Sequence, residues 1–186
     1  MRKGKNYVNW QDRELTITGK LLLIEGLKLY EVDAQRLEQL QYTTYGRPYL
    51  DLELDFNISH SGEYVICGLA KGMRLGVDIE ERKTVDINSF YKVFTPKELI
   101  AIRSSKKTEE TFYNYWTIKE SVMKAIGKGL SIPPVEIEID SDQQASYDDQ
   151  IWYVRNIQID EHYASHIATD YKYVKLNYHW IDFHRT

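Results

Sequence analysis

Leu75-Gly76-Val77-Asp78-Ile79-Glu80 alternates apolar side chains with small or acidic ones, and Trp116-Thr117-Ile118-Lys119-Glu120-Ser121-Val122-Met123-Lys124 follows further along the chain. The first stretch reads as a strand. Its period of two sends Val77 and Ile79 toward a core and puts Asp78 and Glu80 on one face, roughly 6–7 Å apart. The second lies in a run at 111–126 without Pro or Gly, stopped by Gly127 and Gly129, and reads as a helix. Trp116, Glu120 and Lys124 recur at every fourth position, so they share a stripe. Carboxylates of this kind hold Mg²⁺, and lysines meet the phosphate charge that remains. Taken singly, the segments also fit a solvated acidic strand face and a surface Glu–Lys pair.

Around these two segments the chain alternates helices and strands. Helices are expected at 16–29 and 34–40, and strands at 64–69 and 75–80, joined by Lys71-Gly72. Thr95-Pro96-Lys97-Glu98 has capping-box form with Pro at the first helical position, opening a helix to about 102. A strand is expected at 135–139, a loop at 141–150, and a meander of strands at 151–159, 162–169 and 171–180. The order predicts an α+β fold. Asn57-Ile58-Ser59-His60-Ser61-Gly62 reads as a polar turn before the strand at 64–69. Its hydroxyls and imidazole can hold phosphate oxygens, or bond their own backbone. Tyr45-Gly46-Arg47-Pro48-Tyr49 is a turn with a single Arg. His162, His166, His179 and His184 show no ligand spacing and read as strand residues and surface groups.

Gly46-Arg47-Pro48, Phe56-Asn57-Ile58-Ser59-His60-Ser61, Gly76-Val77-Asp78-Ile79-Glu80, Phe94-Thr95-Pro96-Lys97-Glu98 and Trp116 to Lys124, in this order, resemble the 4′-phosphopantetheinyl transferase superfamily. The closer similarity is to its surfactin-synthetase-activating type, which Gly127-Lys128-Gly129-Leu130-Ser131 also fits. The resemblance implies two similar α+β halves related by pseudo-twofold symmetry, with coenzyme A between them. The halves would be 1–74, shortened and contacting CoA phosphates, and 75–186, carrying the metal site, catalytic helix and β meander. It implies Mg²⁺-dependent transfer of the phosphopantetheine arm of CoA to a serine of an acyl or peptidyl carrier protein, releasing 3′,5′-ADP. Mn²⁺ is admitted in place of Mg²⁺.

Residue by residue, the resemblance gives Asp78, Glu80 and Glu120 to the metal, and makes Glu120 the base for the carrier serine. It puts Lys124 on the α-phosphate, with Lys119 contributing although its offset turns it aside. Ser59 and His60 would hold CoA phosphates, Arg47 would sit near the adenine or 3′-phosphate, and Thr16 aligns with a CoA phosphate contact. Trp116 is expected to pack. The carrier protein is expected to dock on 85–97, with Ile87, Phe90, Tyr91 and Val93 offering apolar surface beside Lys92 and Lys97. Two departures stand out. Relatives usually carry more residues before the equivalent of Trp10, and Leu15 stands where Arg is common. Arg2, Lys3 and Lys5 either compensate or are solvated, and a shortened first half predicts exposed apolar surface and association.

Composition agrees with this reading. A 186-residue chain with 42% hydrophobic and 28% charged residues can form a real core. Net charge of −4 argues against nucleic acid as partner, so attraction to acidic CoA must be local. No apolar run is long enough for a membrane span, and cytoplasm is the expected location. Cys67, the single cysteine, is expected as a buried thiol in a reducing compartment. Two rivals remain at this stage: an idle relative that binds CoA or a carrier protein, and a Mg²⁺-dependent phosphodiesterase or nuclease.

Overall fold

The computed structural model of the chain describes residues 10–140 and 144–183. Arg2, Lys3, Lys5 and His184 lie outside the described residues. The architecture is α+β. Helix α1 (Trp10–Leu29) covers a hairpin of β3 (Leu54–Ser61) and β4 (Tyr64–Lys71). Helix α3 (Thr108–Ile126) covers a five-stranded antiparallel sheet with the order β5-β9-β8-β7-β6. Its strands are β5 (Leu75–Glu81), β6 (Glu138–Ile139), β7 (Gln144–Tyr147), β8 (Gln150–Asn156) and β9 (Tyr163–Thr169). A short pair, β1 (Gln41–Tyr42) and β2 (Pro48–Tyr49), brackets the Arg47 turn, and α2 (Pro96–Ser104) leads into α3. No helix among the described residues is long and apolar enough to cross a membrane.

Apolar periodicity explains the two layers. Leu23 and Leu27 of α1 bury against Leu50, Leu54 and Phe56. Ile118, Val122, Met123 and Ala125 of α3 bury against Trp152, Val154 and Ala168. The α3 helix approaches β5 so closely that a Cβ at Gly76 would lie 2.0 Å from the Ser121 carbonyl oxygen and 2.4 Å from the Ala125 nitrogen. The helix ends at Gly127, whose φ of 78° suits a residue without a side chain. Ahead of it, Thr95 and Glu98 form the expected capping box.

The run at 57–61 is not a turn. It belongs to β3, and its polar residues alternate for a tertiary reason. Phe56 and Ile58 pack with α1, whereas Asp55, Asn57, Ser59 and Ser61 face β5. Strand β5 is an edge of its sheet, and its outward N–H groups need acceptors. Leu75 N–H donates to Asp55 Oδ2 at 2.9 Å, and Val77 N–H to Asn57 Oδ1 at 2.9 Å. Ile79 N–H donates to Ser59 Oγ at 3.3 Å, and Glu81 N–H to Ser61 Oγ at 3.0 Å. Side chains of one strand thus close the edge of the other, joining the two sheets without a backbone ladder.

Other sequence readings also change. The strand expected at 135–139 shrinks to Glu138–Ile139, because Pro133 and Pro134 start a 3₁₀ turn at Pro134–Glu136. Within the expected loop at 141–150, Gln144–Tyr147 pairs with β8. The stretch 171–180 forms no strand, despite its alternating aromatics. The preceding β9 is already flanked by β5 and β8, so the chain beyond it has no partner there. Arg155 instead grips the carbonyls of Lys172 and Val174, leaving Tyr171, Tyr173, Tyr178 and Trp180 exposed. Cys67 is half-buried beside the α1 core, where burial pushes its thiol up to about 12.

His166 is an interior group, not a surface one: it is 2% exposed, opposite Asp78 on β9. Its Nδ1 lies 2.7 Å from Thr117 Oγ1, which itself donates to the Tyr113 carbonyl at 2.8 Å. With one hydroxyl hydrogen so used, the imidazole Nδ1–H is the donor. Burial first, then Arg82, pulls the imidazole down to about 4. The unfolded chain binds the proton near pH ~6.5, so stability is full above that pH and falls as pH drops toward 4. Between pH 7.5 and 5 the loss from this group should be about 2 kcal/mol. Urea unfolding of wild type and His166→Asn at both pH values checks it. The variant should show the shallower pH dependence, and equal dependences would refute the assignment.

Candidate active site

Strand β5 and helix α3 bring Asp78, Glu80, Glu120 and Lys124 together. Asp78 and Glu80 point toward α3 because Gly76, Asp78 and Glu80 alternate on the face that the helix covers. Lys124 Nζ donates to Asp78 Oδ1 at 2.6 Å and to Ser59 Oγ at 2.8 Å. Ser59 in turn donates to Asp78 Oδ1 at 3.0 Å. Glu80 accepts from Ser61 Oγ at 2.9 Å through Oε2 and from Trp116 Nε1 at 3.4 Å through Oε1. The Trp116 ring also meets Phe90 edge-on, so this residue packs and donates.

The carboxylates strain against one another. Asp78 is 2% exposed, and burial pushes its carboxyl up to about 7. Lys124 opposes the shift, while Glu80 and Glu120 add to it. Burial also raises Glu120, with Lys124 opposing and Glu80 adding. Asp78 Oδ2 is buried with no hydrogen-bond partner. A buried acceptor without a donor, among three carboxylates and one ammonium, fits a hard divalent cation with oxygen ligands. Among the described residues no three acidic, His or Cys groups already enclose one point. Asp78 Oδ1 and both Glu80 oxygens are hydrogen-bonded to Lys124, Ser59, Ser61 and Trp116.

The remaining sequence candidates are distributed differently. Lys119 is 0% exposed and sits 3.0 Å from Glu98, donating also to the carbonyls of Pro134 at 3.0 Å and Ile137 at 2.6 Å. It ties α2 and the 134–137 segment to α3, with burial pulling its ammonium down and Glu98 opposing. Arg47 Nη2 binds Asp55 Oδ2 and the Leu75 carbonyl, each at 2.8 Å, and Nη1 reaches the Ala125 carbonyl at 3.4 Å. With Arg74 on the Ile126 carbonyl at 3.0 Å, it places cationic charge at the C-terminal end of α3. His60 is exposed on β3, facing away from the β5 comb, and pairs with Val65. The α1 helix passes Gly26 over Leu69 and Gly19 over Ile58 and Val65, so half-buried Thr16 lies toward the His60 end of the hairpin.

In the 85–97 segment, Val85, Ile87, Phe90 and Val93 pack on Phe94, Ile102 and Phe112. Tyr91, Lys92 and Lys97 remain exposed. Asp55, Glu98 and Thr117 carry no site reading in the sequence, and Ser61 only that of a turn hydroxyl for phosphate, yet all four build the site's framework. A signal was present for two of them: Asp55 and Ser61 extend the polar alternation of Asn57 and Ser59 along one strand face.

The family model described as "4′-phosphopantetheinyl transferase superfamily" matches residues 74–175. That span begins just before β5 and includes the strand and the helix that carry the acidic cluster. The chain is 35% identical over 140 residues to the 4′-phosphopantetheinyl transferase gsp of Aneurinibacillus migulanus, covering 74% of this chain and 58% of that one. It is 32% identical over 136 residues to a 4′-phosphopantetheinyl transferase of Bacillus subtilis, covering 70% and 60%. Against the 4′-phosphopantetheinyl transferase Sfp of B. subtilis strain 168 it is 30% identical over 174 residues, covering 87% and 76%. The chain thus spans under two thirds of the length of the first two relatives.

Proposed function

The chain belongs to the 4′-phosphopantetheinyl transferase superfamily, and from that membership we propose that it transfers the phosphopantetheine arm of coenzyme A to a serine of an apo acyl or peptidyl carrier protein. The observation that carries this reading is the buried, partnerless Asp78 Oδ2 beside Glu80, Glu120 and Lys124. In the proposal Asp78, Glu80 and Glu120 hold Mg²⁺, or Mn²⁺ in its place. The cation supplies charge that offsets the pyrophosphate oxygens.

Glu120 takes the proton of the attacking serine hydroxyl. Burial raises its carboxyl, which suits a base more than an ordinary exposed Glu would. The serine oxygen bonds to the β-phosphorus, the bond from that phosphorus to the bridging oxygen breaks, and 3′,5′-ADP leaves with the electron pair. The Lys124 side chain, 28% exposed, pairs with Asp78 and lies one helical turn from Glu120. It meets the charge that develops on the leaving group. His60 and Thr16, at one end of the first half, bind CoA phosphates, and Ser59 contributes through Lys124. Arg47 and Lys119 serve the same site by bracing α3, since their cationic groups are held by protein acceptors. Tyr91, Lys92 and Lys97 form the carrier-facing edge, with charge suited to an acidic helix.

The test is the intact mass of an apo carrier protein after incubation with this protein, CoA and Mg²⁺, with and without EDTA. A gain of one phosphopantetheine that EDTA abolishes is expected. No gain across fatty-acid, polyketide and nonribosomal-peptide carriers, with CoA still bound, would sink the transferase and leave a binding relative.

A further inference from the structure

We infer that Ser61 is a positioning residue, which through its hydroxyl presets the Glu80 carboxylate for a divalent cation. The inference rests on the metal reading above. Ser61 Oγ accepts from Glu81 N–H at 3.0 Å. A hydroxyl has one hydrogen, and with a backbone donor occupying one lone pair that hydrogen is directed to Glu80 Oε2, 2.9 Å away.

The same unit occurs two residues earlier. Ser59 accepts from Ile79 N–H at 3.3 Å and from Lys124 Nζ at 2.8 Å, and directs its hydrogen to Asp78 Oδ1 at 3.0 Å. The two units run in step because both strands have a period of two. Each β3 hydroxyl reads the backbone of one β5 residue and the carboxylate of the residue before it.

Glu80 depends on this more than Asp78 does. Asp78 is buried and short, whereas Glu80 is half-buried with a longer, more flexible side chain. Ser61 from β3 and Trp116 from α3 hold its two oxygens from opposite elements. Without the hydroxyl, Glu80 would have to be ordered when the cation arrives, which weakens binding. Loss of groups that orient metal ligands typically lowers metal affinity by about 10–100-fold. Ser61 touches neither the reacting atoms nor the cation in this account, so its effect should appear in metal affinity and not in KM for CoA at saturating metal.

Direct Mn²⁺ binding, followed by electron paramagnetic resonance without CoA or carrier protein, reads this independently of turnover. Ser61→Ala should raise the Mn²⁺ dissociation constant by about 10-fold or more. Ser61→Thr, which keeps the hydroxyl, should stay within about two-fold of wild type, since the orienting hydrogen remains. In a Glu80→Gln background Ser61→Ala should add little, because it acts through Glu80. Thermal melting of each variant confirms that the folded protein is being compared. Wild-type affinity in Ser61→Ala, or equal weakening in Ser61→Thr, would overturn the positioning role alone. A wild-type protein that binds no Mn²⁺ would overturn the metal reading and this role with it.

Discussion

Gly76→Ala should separate α3 from β5 and lower the thermal midpoint of the protein. The new Cβ would stand 2.0 Å from the Ser121 carbonyl oxygen, 2.4 Å from the Ala125 nitrogen and 3.0 Å from Ala125 Cα. All three are backbone atoms of a helix, so no rotamer change relieves the contact. The helix must move as a body away from the strand. That movement opens the packing of Val122 and Ala125 and withdraws Lys124 from Asp78. Overpacking of well-filled cores costs about 1–3 kcal/mol when side chains can adjust, and a backbone collision exceeds that range. At roughly 2–4 °C per kcal/mol for a domain of this size, the midpoint should fall by at least about 6–12 °C. Thermal denaturation followed by far-ultraviolet circular dichroism checks it, and a midpoint within a few degrees of wild type would contradict the packing.

Asp78→Asn should abolish turnover while leaving the fold as stable or more so. The amide keeps the shape of the side chain but removes the anion that offsets Lys124 and, in the proposed site, the cation. A metal contribution of several kcal/mol to transition-state charge stabilisation corresponds to a rate loss of at least about 10³-fold. Stability moves the other way because the wild-type carboxylate is 2% exposed, has one oxygen without a donor, and lies among like charges. Replacing a buried ion by a neutral group removes that desolvation cost, and the Lys124 ammonium left behind, on a side chain 28% exposed, is hydrated rather than stranded in the interior. Mg²⁺ added at fixed CoA should raise the melting temperature of wild type by linkage and leave that of Asp78→Asn unmoved. Turnover within ten-fold of wild type would remove Asp78 from the metal set.

The site was legible where its residues lie close along the chain. Asp78 and Glu80 share a face because a strand repeats every two residues. Glu120 and Lys124 share a stripe because a helix repeats near every four, and the structure brings those two faces together. Lys119 illustrates the limit of that logic. Its offset from Glu120 turns it from the stripe, but its partners Glu98, Pro134 and Ile137 come from other elements. Asn57, Ser59 and Ser61 read as a turn in the sequence because polar alternation is rarely expected inside a protein. Here that polar face meets the open edge of β5, a demand that exists only after both strands are folded. The aromatic alternation at 171–180 misled in the opposite direction, since a strand also needs a free neighbour.

By itself the sequence determined the helices, the strands β4, β5, β8 and β9, the capping box at Thr95 and the identity of the acidic cluster, because each depends on local periodicity, backbone conformation or short spacing. Only the tertiary structure decided that Ser59 and Ser61 would hydrogen-bond Asp78 and Glu80, that the cationic groups of Arg47 and Lys119 would be taken up by protein acceptors, and that His166 would be interior. Those roles are set by which donors lack acceptors once the two layers meet, and hydrogen bonding between distant segments leaves no period in the chain.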